Sequence, residues 1–182
     1  PIQNPLPHTP LSSSPTPPSP QSHYENFPVA SWLCPPRLRP PIAAIYWFAR
    51  TADDLADEGD APPEQRLADL AMYRNDLFAV AEGKAPSGRW SQVFTPLARA
   101  LAEFALPIQL LADLLDAFVQ DVHFTASGRR YADDAELQDY CRRSANPVGR
   151  LLLHLYGIHD EASLAQSDQI CTALQLINFW QD

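Results

Sequence analysis

From Tyr24 onward, apolar residues recur every three or four positions, and this helical rhythm breaks at Pro35-Pro36, Pro40-Pro41, Pro62-Pro63, Pro86 to Gly88, Pro107, Gly128 and Gly157. Proline removes a backbone donor and glycine frees the chain to turn, so each break ends or starts an element. The intervals predict seven helices, over 24–34, 41–58, 63–82, 91–105, 108–125, 133–156 with a bend at Pro147, and 160–182. Residues 1–22 hold eight prolines, five serines and no Asp, Glu, Lys or Arg, too little apolar surface to fold, and are expected to be disordered. The expectation is an all-α chain with one helical domain over 23–182.

Within 41–58, Ile45, Phe48, Ala49, Ala52 and Ala56 form one apolar stripe, and Ile42, Tyr46, Asp53 and Asp57 line up beside it. Two carboxylates therefore border the core, and Asp54, Glu58 and Asp60 crowd the same helix end. Such a density of like charge calls for water or cations. An oxygen-rich cluster suits Mg²⁺, although the charges alone favour a solvated acidic helix end. The 160–182 segment is apolar almost all round except for Gln175, Asn178 and Asp182, a strip needing an ion or an amide network. Between these clusters, Pro147 and Gly149 interrupt Tyr140 to Arg150, which suits a cavity wall. Arg129 and Arg130 beside Tyr131 are candidate diphosphate contacts, with helix capping or plain surface charge as alternatives.

Composition narrows the partners. Of 182 residues, 46% are hydrophobic, enough for one core, and the net charge of −9 argues against a nucleic-acid partner. An anionic substrate would need local cations. Three cysteines without a CxxC pair indicate neither a disulfide framework nor zinc, and five histidines show no HExxH spacing. The longest apolar run, Ile42 to Ala49, is too short to span a bilayer. A cytoplasmic protein, at most peripheral to a membrane, is expected; oligomeric state is not legible. No stop signal follows the last helix, so the chain is expected to continue past Asp182, leaving apolar faces of 91–125 and 160–182 uncovered.

Two segments, His23 to Ser31 and Ala44 to Glu58, resemble the opening of the squalene/phytoene synthases. Tyr140 to Gly149 is similar to that family's central YCxxxAxxVG block, and Gln175 to Asp182 to the start of its second aspartate-rich motif, all in family order over 23–182. The resemblance implies an isoprenoid-synthase helical fold in which two Asp-rich motifs face each other across an apolar cavity and hold Mg²⁺ against a prenyl diphosphate. It implies Asp53 and Asp57 as the first metal site and Asn178 and Asp182 as the beginning of the second. Arg50 matches a diphosphate contact, Tyr140 a catalytic tyrosine, and Gln175 a cavity residue; Tyr46, on the Asp53 face, is read as substrate-binding with them.

Tyr24-Glu25-Asn26 replaces the family's Ser-x-Ser, and Gln181 replaces an arginine; both resemble the hydroxysqualene synthase branch of bacterial hopanoid pathways. The implied reaction converts presqualene diphosphate and water to hydroxysqualene and diphosphate, with Mg²⁺ and without NADPH. Head-to-head prenyl transfer, giving presqualene or phytoene-type diphosphate products, and a non-catalytic helical fragment are the alternatives. The stretch from Asp121 to Arg130 is longer than the family pattern, which leaves Asp121 without an assigned role.

Overall fold

The structure, a computed structural model, describes residues 34–181; the predicted 24–34 helix up to Leu33, the Pro/Ser-rich segment and Asp182 lie outside them. Among the described residues a short 3-10 turn, Pro36–Leu38, leads into seven α-helices, and there is no strand. They are α1 (Arg39–Asp57), α2 (Pro63–Ala81), α3 (Ser91–Phe104), α4 (Ile108–Ser127), α5 (Asp134–Ser144), α6 (Asn146–Leu155) and α7 (Glu161–Gln181).

The punctuation read from the sequence sets most boundaries. Pro40 and Pro41 fall in the first turn of α1, where the missing N–H has no intrahelical partner to lose. α4 stops at Gly128, whose φ of 64° is left-handed and whose N–H closes onto the Phe124 and Thr125 carbonyls. The 133–156 segment differs from expectation: it is two helices, not one bent helix. The break lies at Ala145 (φ −116°, ψ −50°), and Pro147 occupies the first turn of α6. Proline there starts a helix, because its fixed φ suits the first turn better than an interior position.

α1 packs on α2, α3 and α4, and α4 also meets α2, α5 and α6. The centre is aromatic: Phe48, Tyr73 and Phe94 are fully buried, with Tyr73 stacked on Phe48 at 5.2 Å between ring centroids and 4.8 Å from Phe94. The Tyr73 hydroxyl donates to the Phe48 carbonyl at 3.1 Å, which satisfies its one polar atom. The buried Asp76 carboxylate is likewise partnered. It accepts from the Ser87 N–H at 2.6 Å and the Ser87 hydroxyl at 2.7 Å, fixing the turn between α2 and α3.

α6 and α7 approach closely at Gly149, where a Cβ would collide with Ser167 Oγ and stand 2.7 Å from Cys171 Sγ. Nearby, the Arg150 guanidinium forks onto Asp168 at 2.9 and 2.6 Å, tying the same two helices. On its other side α7 exposes Ile170, Leu174, Ile177 and Trp180. The uncovered face expected over 160–182 is thus present, but the one expected over 91–125 is not. Val93, Phe94, Leu97, Leu111, Leu114 and Leu115 are all buried, because α1, α2 and α6 cover α3 and α4.

α5 opens with a reciprocal cap. Asp133 Oδ1 accepts from the Glu136 N–H at 2.9 Å, and Glu136 Oε2 accepts from the Ala132 N–H at 2.7 Å. Asp133→Ala is expected to lower stability by about 1 kcal/mol, read as a reduced denaturant midpoint at unchanged slope.

Candidate active site

A cavity of about 260 Å³ opens between α1, α4, α5 and α7, lined by Tyr46, Ala49, Arg50, Asp53, Phe118, Asp121, Tyr140, Ser144 and Gln175. Five of the residues singled out in the sequence meet here: Tyr46, Arg50, Asp53, Tyr140 and Gln175. They come from positions up to 129 apart in sequence number, on α1, α5 and α7, and none is exposed: Tyr140 is buried and the other four are half-buried.

One end of the cavity is ionic. The Arg50 guanidinium reaches Asp53 Oδ2 at 3.2 Å, Asp54 Oδ1 at 2.9 Å and Glu58 Oε1 at 2.7 Å, so one cation serves three carboxylates of α1 and its C-terminal turn. The opposite wall pairs a phenol with a carboxylate: the Tyr140 hydroxyl donates to Asp121 Oδ2 at 2.6 Å. Burial pushes the Asp121 carboxyl up to about 6; the Tyr140 hydrogen bond and the Arg143 charge pull it down, and the Asp57 charge adds to the rise. The Tyr140 phenol is driven well above its ordinary value, first by burial and then by the Asp121 charge, so it stays protonated and donates. Its ring is fixed by Tyr131 at 5.4 Å and Phe179 at 5.9 Å. Tyr46, Ala49 and Phe118 supply the apolar lining.

The other sequence candidates lie outside this lining. Asp57 is exposed, and reaches the site through its charge on Asp121. Asn178 is exposed on α7 and Arg130 is exposed after α4; Asp182 is beyond the described residues. Arg129 pairs with Glu136 and stands 4.7 Å over the Phe124 ring, which commits it to the start of α5. Sequence reasoning left Asp121 without a role and passed over Phe118 and Ser144. A signal existed for Asp121: it stands three, four and seven residues after Phe118, Ala117 and Leu114, in line with the inward face of α4.

The donors suit a hard cation. Asp53, Asp57 and Asp121 offer only oxygen, and burial, which does most to raise the Asp121 pKa, leaves its charged form poorly solvated. Among the described residues no three His, Cys, Asp or Glu side chains converge as a metal cluster. A Mg²⁺ ion takes one or two carboxylates and completes its shell with waters and phosphate oxygens. No helix among the described residues is long and apolar enough to cross a membrane.

Known proteins share this arrangement of helices. Residues 21–182 match the family model of the squalene/phytoene synthases. A hydroxysqualene synthase of Sinorhizobium fredii is 38% identical over 94% of this chain and 55% of its own length. One from Zymomonas mobilis is 41% identical over 87% of the chain and 50% of its own. A crystal structure of a squalene synthase from Alicyclobacillus acidocaldarius superposes with a TM-score of 0.72 at 38% identity, over 87% of this chain and 56% of the other. The chain spans about half the length of the curated relatives it matches. On the family match and these identities, the chain belongs to the squalene/phytoene synthase family.

Proposed function

We propose that this chain carries the first carboxylate site and much of the reaction cavity of an enzyme that converts presqualene diphosphate and water to hydroxysqualene and diphosphate. The observation that carries the reading is the cavity itself: an arginine–carboxylate end and a tyrosine–carboxylate pair flank one apolar lining. Relatives named hydroxysqualene synthase support it. Asp53 and Asp57 would hold Mg²⁺, which when bound supplies positive charge to the departing diphosphate.

The chain's own residues do the rest. Arg50 has donors in a planar fork, and exchange of a carboxylate for a diphosphate oxygen keeps its charge paired. The C–O bond of the substrate breaks with its electron pair leaving on diphosphate. Tyr46, Ala49 and Phe118 surround the resulting carbocation with apolar and aromatic surface, limiting which nucleophile reaches it. A water oxygen forms the new C–O bond, and its proton passes to the Tyr140 oxygen as the Tyr140 proton moves to Asp121. Water is the nucleophile, so the net reaction needs no reductant. The test uses an intact enzyme carrying this chain, incubated with presqualene diphosphate and Mg²⁺ in ¹⁸O-water without NADPH. The expected product is an alcohol containing ¹⁸O; squalene alone, and only on addition of NADPH, would refute the reading.

A further inference from the structure

α5 ends on Ser144, one residue before the break at Ala145, and this serine lines the cavity beside Tyr140 and Phe118. Its Oγ is buried and has no hydrogen-bond partner. A helical serine ordinarily folds its hydroxyl back onto the carbonyl one turn earlier, and here that bond is not made. The hydroxyl stands near enough to the Tyr140 phenol to favour its ionised form.

The neighbouring groups are already committed. Tyr140 gives its proton to Asp121, so its oxygen has lone pairs left to accept, and Ser144 retains both a donor and acceptors. Two hydroxyls with complementary free capacity therefore stand side by side in a lining whose apolar part is Tyr46, Ala49 and Phe118. Buried polar groups in folded proteins find partners, and a space that is polar on one side and large enough for water is where a bound water is expected. At about 260 Å³ the cavity has that room.

We propose that Ser144, with Tyr140, holds the water that captures the carbocation, and so sets whether the reaction ends in an alcohol. The inference rests on the water-capture reading above. Held between the two hydroxyls, the water directs an oxygen lone pair into the cavity while one of its protons lies against the Tyr140 oxygen. Bond formation at carbon then coincides with loss of that proton to Tyr140 and of the Tyr140 proton to Asp121. Without the serine hydroxyl the water is no longer fixed, and the cation ends instead by losing a proton to the released diphosphate to give an alkene.

The quantity to measure is the ratio of alcohol to released diphosphate, which is insensitive to how much enzyme is folded. In an intact enzyme carrying this chain, with presqualene diphosphate and Mg²⁺, Ser144→Ala is expected to lower that ratio about tenfold, alkenes making up the difference. Ser144→Val, which also fills the space of the water, should lower it at least as far. Ser144→Thr keeps the hydroxyl and should keep the ratio. An unchanged ratio in Ser144→Ala, with wild type forming alcohol, overturns the assignment of Ser144 alone. A threonine variant that behaves like alanine overturns it too, since volume and not the hydroxyl would then set the outcome. If wild type forms no alcohol, the hydroxysqualene reading falls, and the role of Ser144 with it.

Discussion

Asp53→Asn, in an intact enzyme carrying this chain, is expected to lower turnover on the order of 100-fold or more while leaving helical circular dichroism unchanged. The two halves of that expectation have separate causes. Asp53 lines the cavity, so its charge acts on whatever cation and diphosphate enter. It sits at the rim of the core and is not part of it, so the amide leaves the packing of Phe48, Ala52 and Ala56 untouched. Losing Asp53 also removes only one of the three carboxylates around Arg50, and Asp54 and Glu58 still hold the guanidinium in place. Wild-type turnover in this variant would remove the α1 carboxylate from the chemistry.

Asp121→Asn is expected to move stability and activity in opposite directions. In the folded protein this carboxyl titrates at about 6 against an ordinary 3.8, so the native state binds its proton more tightly than the unfolded chain. An acid raised in this way makes stability fall as pH rises from 3.8 through about 6, and above that window the cost is present in full. Asparagine carries no such charge and still accepts from the Tyr140 hydroxyl. The variant should therefore gain about 2 kcal/mol above pH 7, and lose that gain below pH 4, as judged by denaturant unfolding across the pH range. It can no longer take a proton through Tyr140, and turnover to the alcohol should drop on the order of 100-fold. A variant no more stable than wild type at pH 7.5 would show that the buried charge is better solvated than its surroundings indicate.

The helices were largely legible because apolar spacing and proline or glycine punctuation agree at almost every boundary. The exception is instructive. Pro147 reads as a bend inside a long helix, yet the structure breaks at Ala145 and begins α6 around the proline. A proline's effect depends on whether the residue two positions before it continues the helix, and Ala145 does not, which the spacing of apolar residues does not reveal. For the candidate site, Arg50, Asp53 and Tyr140 stood out because each is a polar residue bordering an apolar stripe or belongs to a family-like block. Asp121 lacked such a block, and its importance comes from Tyr140, 19 positions away, and from burial between helices. Ser144 was hidden for a different reason: an unpartnered hydroxyl is a property of three-dimensional surroundings, and serine by itself announces nothing.

The close contact at Gly149 bears on how precisely the cavity is dimensioned. Because the Ser167 hydroxyl and the Cys171 thiol fill the space a Cβ at position 149 would take, a side chain there must either turn both groups aside or push α7 away. α7 is a continuous helix, so an outward step at Cys171 is carried as a rigid lever to Gln175, about 6 Å further along its axis. The missing Cβ thus acts as a gauge for the width of a chamber whose own lining does not include it, and tolerance to substitution at position 149 should follow the clearance between two helices, not the polarity of the residue introduced.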